Sequence, residues 1–330
     1  GNVIDPLELI AKYGADATRL GIVRQMRLES QELRFDERYC QKSREFNTKM
    51  WNALLYVSSR PEGLPRANVL PAKERLSLAD RWILTRLNAT VRAVSAALDT
   101  FAFGVAADLL LEFVWYEYCD WYLEASKIET PTRSAVLSFV LNAAVRMLHP
   151  IAPFVTESIW QALPHDGETI VTASWPDADE IPTDEIATST YERLRAAVGR
   201  IRDVRSELGL APRERLTLEV PATLDRELRA LLEQHAGATC VERPSAAVVD
   251  DPLAAVGVRA PAGVLRGRYA KELVRLDGEV VRLERKLANE QFVGKASPDV
   301  VAKERRKLAD YEAERALVRE RLAAVQAEDQ

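Results

Sequence analysis

The sequence predicts a mostly α protein composed of an antiparallel helix bundle, a small α+β module and a C-terminal antiparallel coiled-coil hairpin. The chain has 330 residues, 47% hydrophobic and 29% charged, which is enough to bury a large core and excludes intrinsic disorder. Ala, Leu, Arg and Glu dominate, and the 14 Gly and 16 Pro stand mostly between periodic segments. Apolar residues recur at spacings of three and four over most of the chain, which is typical of amphipathic helices. The length predicts two or three domains.

Several classes of protein are disfavoured by what the sequence lacks. No run of eighteen uncharged apolar residues exists, and the opening Gly1-Asn2-Val3 is not the basic start of a signal peptide. We therefore expect a soluble, cytoplasmic protein that does not contact a membrane, and the missing initial Met suggests a piece of a longer chain. Cys40, Cys119 and Cys240 stand far apart, without a C-x-x-C pair for zinc or redox chemistry, so each is predicted to be a buried apolar residue.

The first half of the chain predicts the helix bundle. Asp5 and Pro6 have the capping chemistry that opens a short helix, Gly14 ends it, and Asp16 can cap the next helix. The following helices are predicted at residues 36–58, 77–98, 104–126 and 133–148, with a final apolar turn at 153–163 and a Pro/Gly-rich loop at 60–71. Short connections between amphipathic helices make an antiparallel bundle the economical arrangement.

The second half predicts the α+β module and the hairpin. The module contains helices at 191–208, ended by Gly209, and at 225–235, with strands at 216–220, 239–242 and 246–249. Two heptad runs follow, namely Leu273, Leu276, Val280, Leu283 and Leu287, then Leu308, Tyr311, Val318, Leu322 and Val325, with polar breaks at Glu304 and Arg315. The interruption at 294–298 predicts a turn between two helices that pair within one chain, which favours a monomer.

Charge is distributed unevenly along the chain. Residues 266–307 carry a net charge of +5, residues 308–330 carry −3, and the whole chain carries −5. The first 265 residues are therefore acidic, and only the hairpin is locally basic. Such a distribution suits contact with a polyanion at one end of the molecule.

No catalytic or metal-binding constellation is recognisable in the sequence. His149, His165 and His235 are isolated from one another and from the cysteines, so each is predicted to have a core or surface role. The phosphate-binding and nucleophile-elbow motifs built on glycine are missing as well. We therefore predict no catalytic residue, no metal and no cofactor in this chain.

Two groups of residues have alternative interpretations. The aromatic run from Val114 to Leu123 could stack nucleobases, but aromatic residues at helical spacing are more often core, so packing is favoured. Arg44, Asn47, Lys49 and Asn52 could serve only solubility, or could contact the phosphates and base edges of a single-stranded RNA loop. Composition does not decide between these alternatives.

A resemblance to a known family adds to this reading. Gly1-Asn2-Val3-Ile4-Asp5-Pro6 and Tyr13-Gly14-Ala15-Asp16-Ala17-Thr18-Arg19 resemble the segment after the KMSKS loop of class I aminoacyl-tRNA synthetases. The later motifs, in the order found in the valine, isoleucine and leucine enzymes, are Leu33-Arg34-Phe35-Asp36, Arg44 to Ala53, Asp80-Arg81-Trp82-Ile83, Phe113 to Lys127, Leu148 to Phe154 and Trp175-Pro176. Such ordered similarity runs over nearly the whole chain.

The C-terminal end favours the valyl-tRNA synthetase family. Lys286 to Pro298, read KLANEQFVGKASP, closely resembles the turn of that family's coiled-coil arm, whereas isoleucine enzymes commonly end in a cysteine zinc module and leucine enzymes in a compact domain. One departure is Ser30-Gln31-Glu32-Leu33, where the valine family usually has G-Q-D-I. The corresponding region of an isoleucine or leucine enzyme is the alternative within the class.

The resemblance implies a tRNA-holding role. The family's complete enzyme attaches valine to its tRNA using ATP with magnesium, and the domains that bind valine and ATP would precede Gly1, so this chain alone is expected to be inactive. The implied organisation is the end of the catalytic-domain connection at 1–35, the anticodon-binding bundle at 36–185, a helix with a small α+β module at 186–264 and the tRNA-binding arm at 265–330. The implied partner is the tRNA for valine.

The implied contacts fall into two sets. The anticodon-binding set is Arg34, Arg38, Asn47, Lys49, Asn52 and Tyr56, and the set that binds the tRNA backbone is Arg268, Lys271, Arg275, Arg282 and Lys286. Arginine, lysine and asparagine would contact phosphates or base edges, and the tyrosine would offer a stacking face. The alternative from another functional class is a helical scaffold whose hairpin docks a protein partner.

Overall fold

The computed structural model describes residues 5–26, 35–60, 63–65, 68–210, 214–243, 253–259, 262–295 and 298–327. The mostly helical fold predicted from the sequence is confirmed. The chain divides into two compact units, of which the first comprises Gly1–Ala196 with Arg226–His235 and the second Ala197–Asp225 with Ala236–Gln330. No helix in the described ranges is long and apolar enough to cross a bilayer.

The first unit is a helix bundle. Its helices are α1 (Pro6–Tyr13), α2 (Ala15–Val23), α3 (Arg38–Ser58), α4 (Leu78–Asp99), α5 (Phe103–Glu112), a π helix (Phe113–Tyr122), α6 (Leu123–Ala125), α7 (Arg133–Leu148), α8 (Pro153–Gln161) and the first half of α9 (Glu185–Glu207). Helix α9 begins six residues before the predicted Tyr191, because Asp184 caps it by accepting from the Ala187 N–H. As predicted, Asp5 caps α1 by accepting from the Leu7 N–H.

Asp16 has a different role from the predicted one. Its carboxylate accepts from the backbone N–H groups of Phe154 and Val155, at 3.3 and 2.6 Å, and so caps α8 rather than α2. Arg19, one turn further along α2, donates to the carbonyls of Ile151 and Pro150 at 2.9 and 3.2 Å. The two charged residues therefore fix α2 to the corner between α7 and α8.

The predicted helix at 104–126 is interrupted by a register change. The structure has a π helix at Phe113–Tyr122, in which the Leu123 N–H bonds to the Tyr118 carbonyl. A π turn holds more residues than an α turn, and Phe113, Tyr118 and Tyr122 are all buried here. Packing is therefore confirmed for Tyr118 and Tyr122 of the aromatic run, whereas Tyr116 is 52% exposed.

Asp80 is a buried centre of hydrogen bonds in this unit. It is 1% exposed, forms a capping box with Ser77, and accepts from the hydroxyls of Tyr122 and Thr132 at 2.5 and 2.6 Å. Burial raises the pKa of Tyr122, which stays a neutral donor at physiological pH. Asp80 thus ties α4 to the π helix and to the start of α7.

The second unit contains a three-stranded sheet with the order β2-β1-β3. Strand β1 (Leu216–Val220) pairs in parallel with β2 (Ala238–Glu242) and antiparallel with β3 (Gly257–Arg259). The chain passes through α10 (Arg226–Ala236) between β1 and β2. The predicted strand at 246–249 lies outside the described residues, and the three-residue β3 was not predicted. Gly209 has a φ of +64°, which suits its predicted place at the end of α9.

The same unit ends in the predicted hairpin of α11 (Ala262–Ala288), the short α12 (Glu290–Lys295) and α13 (Pro298–Ala327). Leu276, Val280 and Leu283 are buried in its seam, as predicted. The two polar breaks are satisfied across the seam, because Glu304 pairs with Lys286 at 3.1 Å and Arg315 with Asp277 at 3.3 Å. These ion pairs fix the register of the two helices.

The cysteines follow the sequence prediction in part. Cys40 and Cys240 are buried, whereas Cys119 is partly exposed, which corrects the prediction for that residue. Desolvation still raises the pKa of the Cys119 thiol to about 12, so it stays protonated and unreactive at neutral pH.

Candidate nucleic-acid interfaces

Helix α3 separates a buried face from a polar face. The buried face carries Cys40, Ser43, Phe46, Met50, Ala53, Leu54 and Val57, in the three-and-four spacing of an amphipathic helix. Arg38, Lys49, Asn52 and Tyr56 follow one another at spacings of eleven, three and four residues, which places them on the other face. The helix thus presents four of the six predicted anticodon contacts together.

Lys49 is held in place by two neighbours on the π helix. Its ammonium lies 2.6 Å from Oδ1 of Asp120 and 4.4 Å from the centroid of the Trp115 ring. Trp115 in turn stacks on the buried Phe46, with 6.4 Å between ring centroids. The side chain of Lys49 is 27% exposed and that of Asp120 is 44% exposed, so both remain accessible to a ligand. Their contacts orient a charged donor and a charged acceptor side by side.

A shallow depression of about 280 Å³ adjoins Lys49 on α3. It is lined by Gln41, Arg44, Glu45, Thr48, Lys49 and Asn52. Within it, Gln41 donates to Glu45 at 2.9 Å, and Arg44 donates to the Lys12 carbonyl at 3.0 Å. The exposed Asn52 completes a polar surface with both donors and acceptors, which suits the edges of unpaired bases.

Tyr56 is half-buried, and its hydroxyl is already engaged. Because the Ser126 hydroxyl donates to the Leu123 carbonyl at 2.8 Å, the Tyr56 hydroxyl donates to Ser126 Oγ, at 3.1 Å. The guanidinium of Arg60 lies over the Tyr56 ring, 4.8 Å from its centroid. A base that stacks on this ring would therefore use the face opposite Arg60.

Arg38 opens α3 and is highly exposed, with 86% of its side chain accessible. It is held by Asp36, to which Nε and Nη2 donate at 2.9 and 2.6 Å. This donation lowers the pKa of Asp36, which remains ionised. The guanidinium carries further donors that can reach a phosphate. Arg34, the remaining predicted residue of this stretch, lies outside the described residues.

Asn47 lies apart from the other predicted anticodon contacts. It lines a second depression of about 390 Å³ together with Tyr13, Trp51 and Phe154. The amide oxygen of Asn47 is buried and has no hydrogen-bond partner in the described structure. The predicted set therefore divides into a group around Lys49 and a separate position at Asn47.

The five predicted backbone contacts form one stripe along α11, away from the seam. Three of the five are paired within the arm: Arg275 with Glu272 at 2.6 Å and Glu314 at 3.6 Å, Arg282 with Glu279 at 2.5 Å, and Lys286 with Glu304 at 3.1 Å. Arg268 and Lys271 are exposed and form no ion pair with the described part of the chain. Of these five cations, Arg268 and Lys271 are thus the ones that can meet a phosphate without breaking an ion pair in the described structure.

The histidines have packing contacts. His149 Nδ1 bonds to Thr156 Oγ1 at 2.8 Å, His165 stacks on Trp160, and the buried His235 bonds to the Tyr191 hydroxyl at 3.0 Å. Among the described residues, no three or more His, Cys, Asp or Glu side chains are grouped as metal ligands.

Comparison with known families identifies two regions of the chain. Residues 80–220 match the anticodon-binding domain of tRNA ligases, and residues 264–326 match the tRNA-binding arm of valyl-tRNA synthetases. Both matches are to families of tRNA ligases, and tRNA ligases are therefore the class of protein to which the fold and these matches point. It belongs to the valyl-tRNA synthetase family, whose C-terminal region it matches.

Curated relatives agree with this assignment. The valine–tRNA ligases of Enterococcus faecalis and Carboxydothermus hydrogenoformans are 36% and 35% identical, each over 98% of this chain, and that of Thermotoga maritima is 35% identical over 93%. The chain spans only 37–39% of the length of these relatives. Among solved structures, the leucyl-tRNA synthetase of an Agrobacterium radiobacter K84 ternary complex aligns over 69% of this chain and 25% of its own, at 18% identity and a TM-score of 0.41.

Proposed function

We propose that this chain is the part of a valine–tRNA ligase that holds the tRNA for valine at two places. The α3 face around Lys49 binds the anticodon loop, and the basic stripe on α11 binds the backbone at the outer corner of the tRNA. The observation that carries the proposal is that an anticodon-binding match and a tRNA-arm match occur on one chain. The arm match contains the basic stripe on α11. The anticodon-binding match contains the π helix, which packs against α3, the helix that carries the polar face.

The two clusters suit different chemistry. Around Lys49, side chains from α3 and the π helix offer a donor, an acceptor and an aromatic ring within one small surface, which is what base reading requires. Along α11, the cations offer charge without base-specific geometry, which gives affinity that depends on salt. The proposed contacts remain Arg34, Arg38, Asn47, Lys49, Asn52 and Tyr56 for the anticodon, and Arg268, Lys271, Arg275, Arg282 and Lys286 for the backbone.

The proposal extends to the parent enzyme. That enzyme activates valine with ATP and magnesium in the cytoplasm and transfers it to the tRNA, while this chain contributes binding. We assign neither ATP nor magnesium to its described residues, which present no metal-ligand group. The hairpin closes its apolar seam on itself, so a monomer is the proposed state. The four-part division at 1–35, 36–185, 186–264 and 265–330 belongs to the same proposal.

The test is binding of the 330-residue chain to a valine tRNA transcript and to the same transcript with a changed anticodon, over a salt series. We expect the changed anticodon to weaken binding by about tenfold or more, with residual binding that falls steeply with salt. Lys49→Gln should remove most of the difference between the transcripts, whereas Lys73→Gln, which changes a lysine of the same unit outside the proposed face, should not. Equal binding of both transcripts by the wild-type chain would contradict the anticodon proposal and favour the scaffold alternative.

A further inference from the structure

We infer that Asp120, on the π helix, is a specificity-determining residue that makes the Lys49 site select bases with an exocyclic amino group. This inference rests on the proposed function, because it presupposes that the face around Lys49 meets an unpaired base. Asp120 was not among the contacts predicted from the sequence, since it lies 71 residues from Lys49 along the chain. It is an acid in a helical segment, which by itself indicates only a solvated face.

The Lys49–Asp120 pair has unused hydrogen-bonding capacity. The Lys49 ammonium has three N–H donors, of which one is directed to Asp120 Oδ1 and none forms another hydrogen bond within the described structure. The Asp120 carboxylate has two oxygens, and Oδ2 has no partner in the described part of the chain. The ion pair therefore offers a free donor beside a free acceptor, both partly exposed.

The surroundings keep this pair in place. The Lys49 ammonium lies over the Trp115 ring, 4.4 Å from the ring centroid. Helix α3 packs against the π helix that carries both Trp115 and Asp120. A second carboxylate on the same face, Glu45, lies one turn earlier on α3, accepts from Gln41 at 2.9 Å and forms no ion pair with Lys49 in the described structure. Asp120 is thus the carboxylate that is positioned at the Lys49 ammonium.

A donor beside an acceptor reads the Watson–Crick edges of bases selectively. Adenine and cytosine each present an amino donor next to an unprotonated ring nitrogen, which complements a carboxylate next to an ammonium. Guanine and uracil present a carbonyl next to a ring N–H, so the carboxylate would face an acceptor oxygen. The first two letters of every valine codon are G and U. The last anticodon letter is therefore C and the middle one is A, and both of these bases carry the amino group.

The experiment uses transcripts that differ only in this edge. Binding of the 330-residue chain is measured for the valine anticodon, for the same tRNA with its middle adenine replaced by hypoxanthine, and for the same tRNA with its last anticodon cytosine replaced by uracil. Each replacement exchanges the amino group for a carbonyl and protonates the adjacent ring nitrogen. The wild-type chain is expected to bind at least one replacement about tenfold more weakly than the valine anticodon.

Asp120→Asn is the decisive variant. Its amide nitrogen can donate to a carbonyl, so we expect the discrimination at the affected position to fall to about twofold or less, with weaker binding of the amino-bearing base. Asp120→Glu keeps the carboxylate and should keep the preference for the amino group. If it does, the loss in Asp120→Asn is not caused by misfolding on substitution at this position. Asp179→Asn is the matched control, because Asp179 is an exposed acid of the same unit, ion-paired with Arg92.

The outcomes separate this inference from the function on which it rests. Discrimination that is unchanged in Asp120→Asn would overturn the role of Asp120 and leave anticodon binding intact. An equal loss of discrimination in Asp179→Asn would also overturn it, because the effect would then come from net charge. A wild-type chain that binds the valine anticodon and an unrelated anticodon equally would instead contradict the proposed function itself.

Discussion

The helix bundle and the coiled-coil arm hold their charged side chains in different ways. In the bundle, the ammonium of Lys49 lies between Asp120 and the ring of Trp115, on a helix whose other face is anchored by Phe46 and Met50. In the arm, five cations stand along one stripe of α11, and three of them, Arg275, Arg282 and Lys286, pair with acids on α11 or on α13. The bundle thus presents one lysine on a multilayered core, whereas the arm presents a row of cations, of which Lys286 likewise lies against an acid and a ring, Glu304 and Phe292.

The difference follows from how each region buries its core. The bundle buries large side chains from several helices, including Trp82, Trp160 and Tyr118, so a side chain on its surface can rest on a rigid layer. The arm buries a single seam between α11 and α13, so its surface residues rest on one layer of side chains rather than on several. We therefore expect the multilayered bundle, rather than the arm, to carry the proposed base contacts.

The largest effect is expected from removing Asp80, the buried acceptor at the centre of the bundle's hydrogen bonds. Asp80→Ala removes the acceptor of the Ser77 capping box and of the Tyr122 and Thr132 hydroxyls, and we expect it to lower the free energy of unfolding of the bundle by about 3 kcal/mol or more. Urea unfolding followed by tryptophan fluorescence measures this loss. Asp99→Ala, at the exposed end of the same helix, should cost less than about 0.5 kcal/mol.

The corresponding change in the arm should stay local. Leu276 is completely buried in the seam, and Leu276→Ala should lower local stability of the hairpin by about 2–4 kcal/mol. Hydrogen exchange should show faster exchange in α11 and α13 and unchanged exchange in α4. Val274→Ala, on the same helix but 75% exposed, is the control and should have little effect. Equal losses in both variants would show that the seam does not hold the arm together.

A binding prediction separates the two kinds of recognition. Arg268→Gln with Lys271→Gln removes the two cations of the stripe that have no ion pair in the described structure, so the slope of log K against log salt should decrease by about two. The loss of affinity should be equal for the valine anticodon and for a changed anticodon. Arg305→Gln with Arg306→Gln makes the same change in net charge on α13. An identical change of slope in that control would show that only net charge matters.

The smallest expected effect concerns the stability of the arm at acidic pH. The hydrogen bond from Lys286 lowers the pKa of Glu304 below its ordinary 4.5, so the stabilisation from this pair is fully present above that pH and is lost as the pH falls through the lowered value. The protection factors for hydrogen exchange in α11 and α13, which correct for the intrinsic pH dependence of exchange, should therefore fall less on acidification in Glu304→Gln than in the wild-type chain. Glu312→Gln, exposed on the same helix, should behave like wild type. Identical pH dependence in all three chains would contradict the role of this pair in the register.

The fold was predictable where local pattern decides it. The three-and-four spacing on α3 and the heptads of α11 state which face is buried without reference to any other part of the chain. Strand β3 and the π helix were missed for the opposite reason. Three residues contain too little periodicity to indicate a strand, and the widened turn at 113–122 depends on the fit of its aromatic residues within the bundle.

The candidate site was predictable only in part. The sequence and its family resemblance indicated Lys49, which lies in the motif from Arg44 to Ala53, and Tyr56, which follows that motif on the same helix. They could not indicate Asp120, which meets Lys49 only because the π helix packs against α3. Nor could they separate Asn47 from the other contacts, since this requires knowing that Phe154 of α8 lines the same depression.

The sequence by itself therefore determined the helical class, the burial of the main faces and the family of this chain. The first two depend on the spacing of residues near one another, and the family depends on the order of motifs along the chain. The tertiary structure alone decided which charged groups meet. In the sequence, Glu304 and Arg315 only interrupt the apolar seam. In the structure they pair with Lys286 and Asp277 on the facing helix. Pairing between distant residues depends on how whole elements pack, and no local pattern records that geometry.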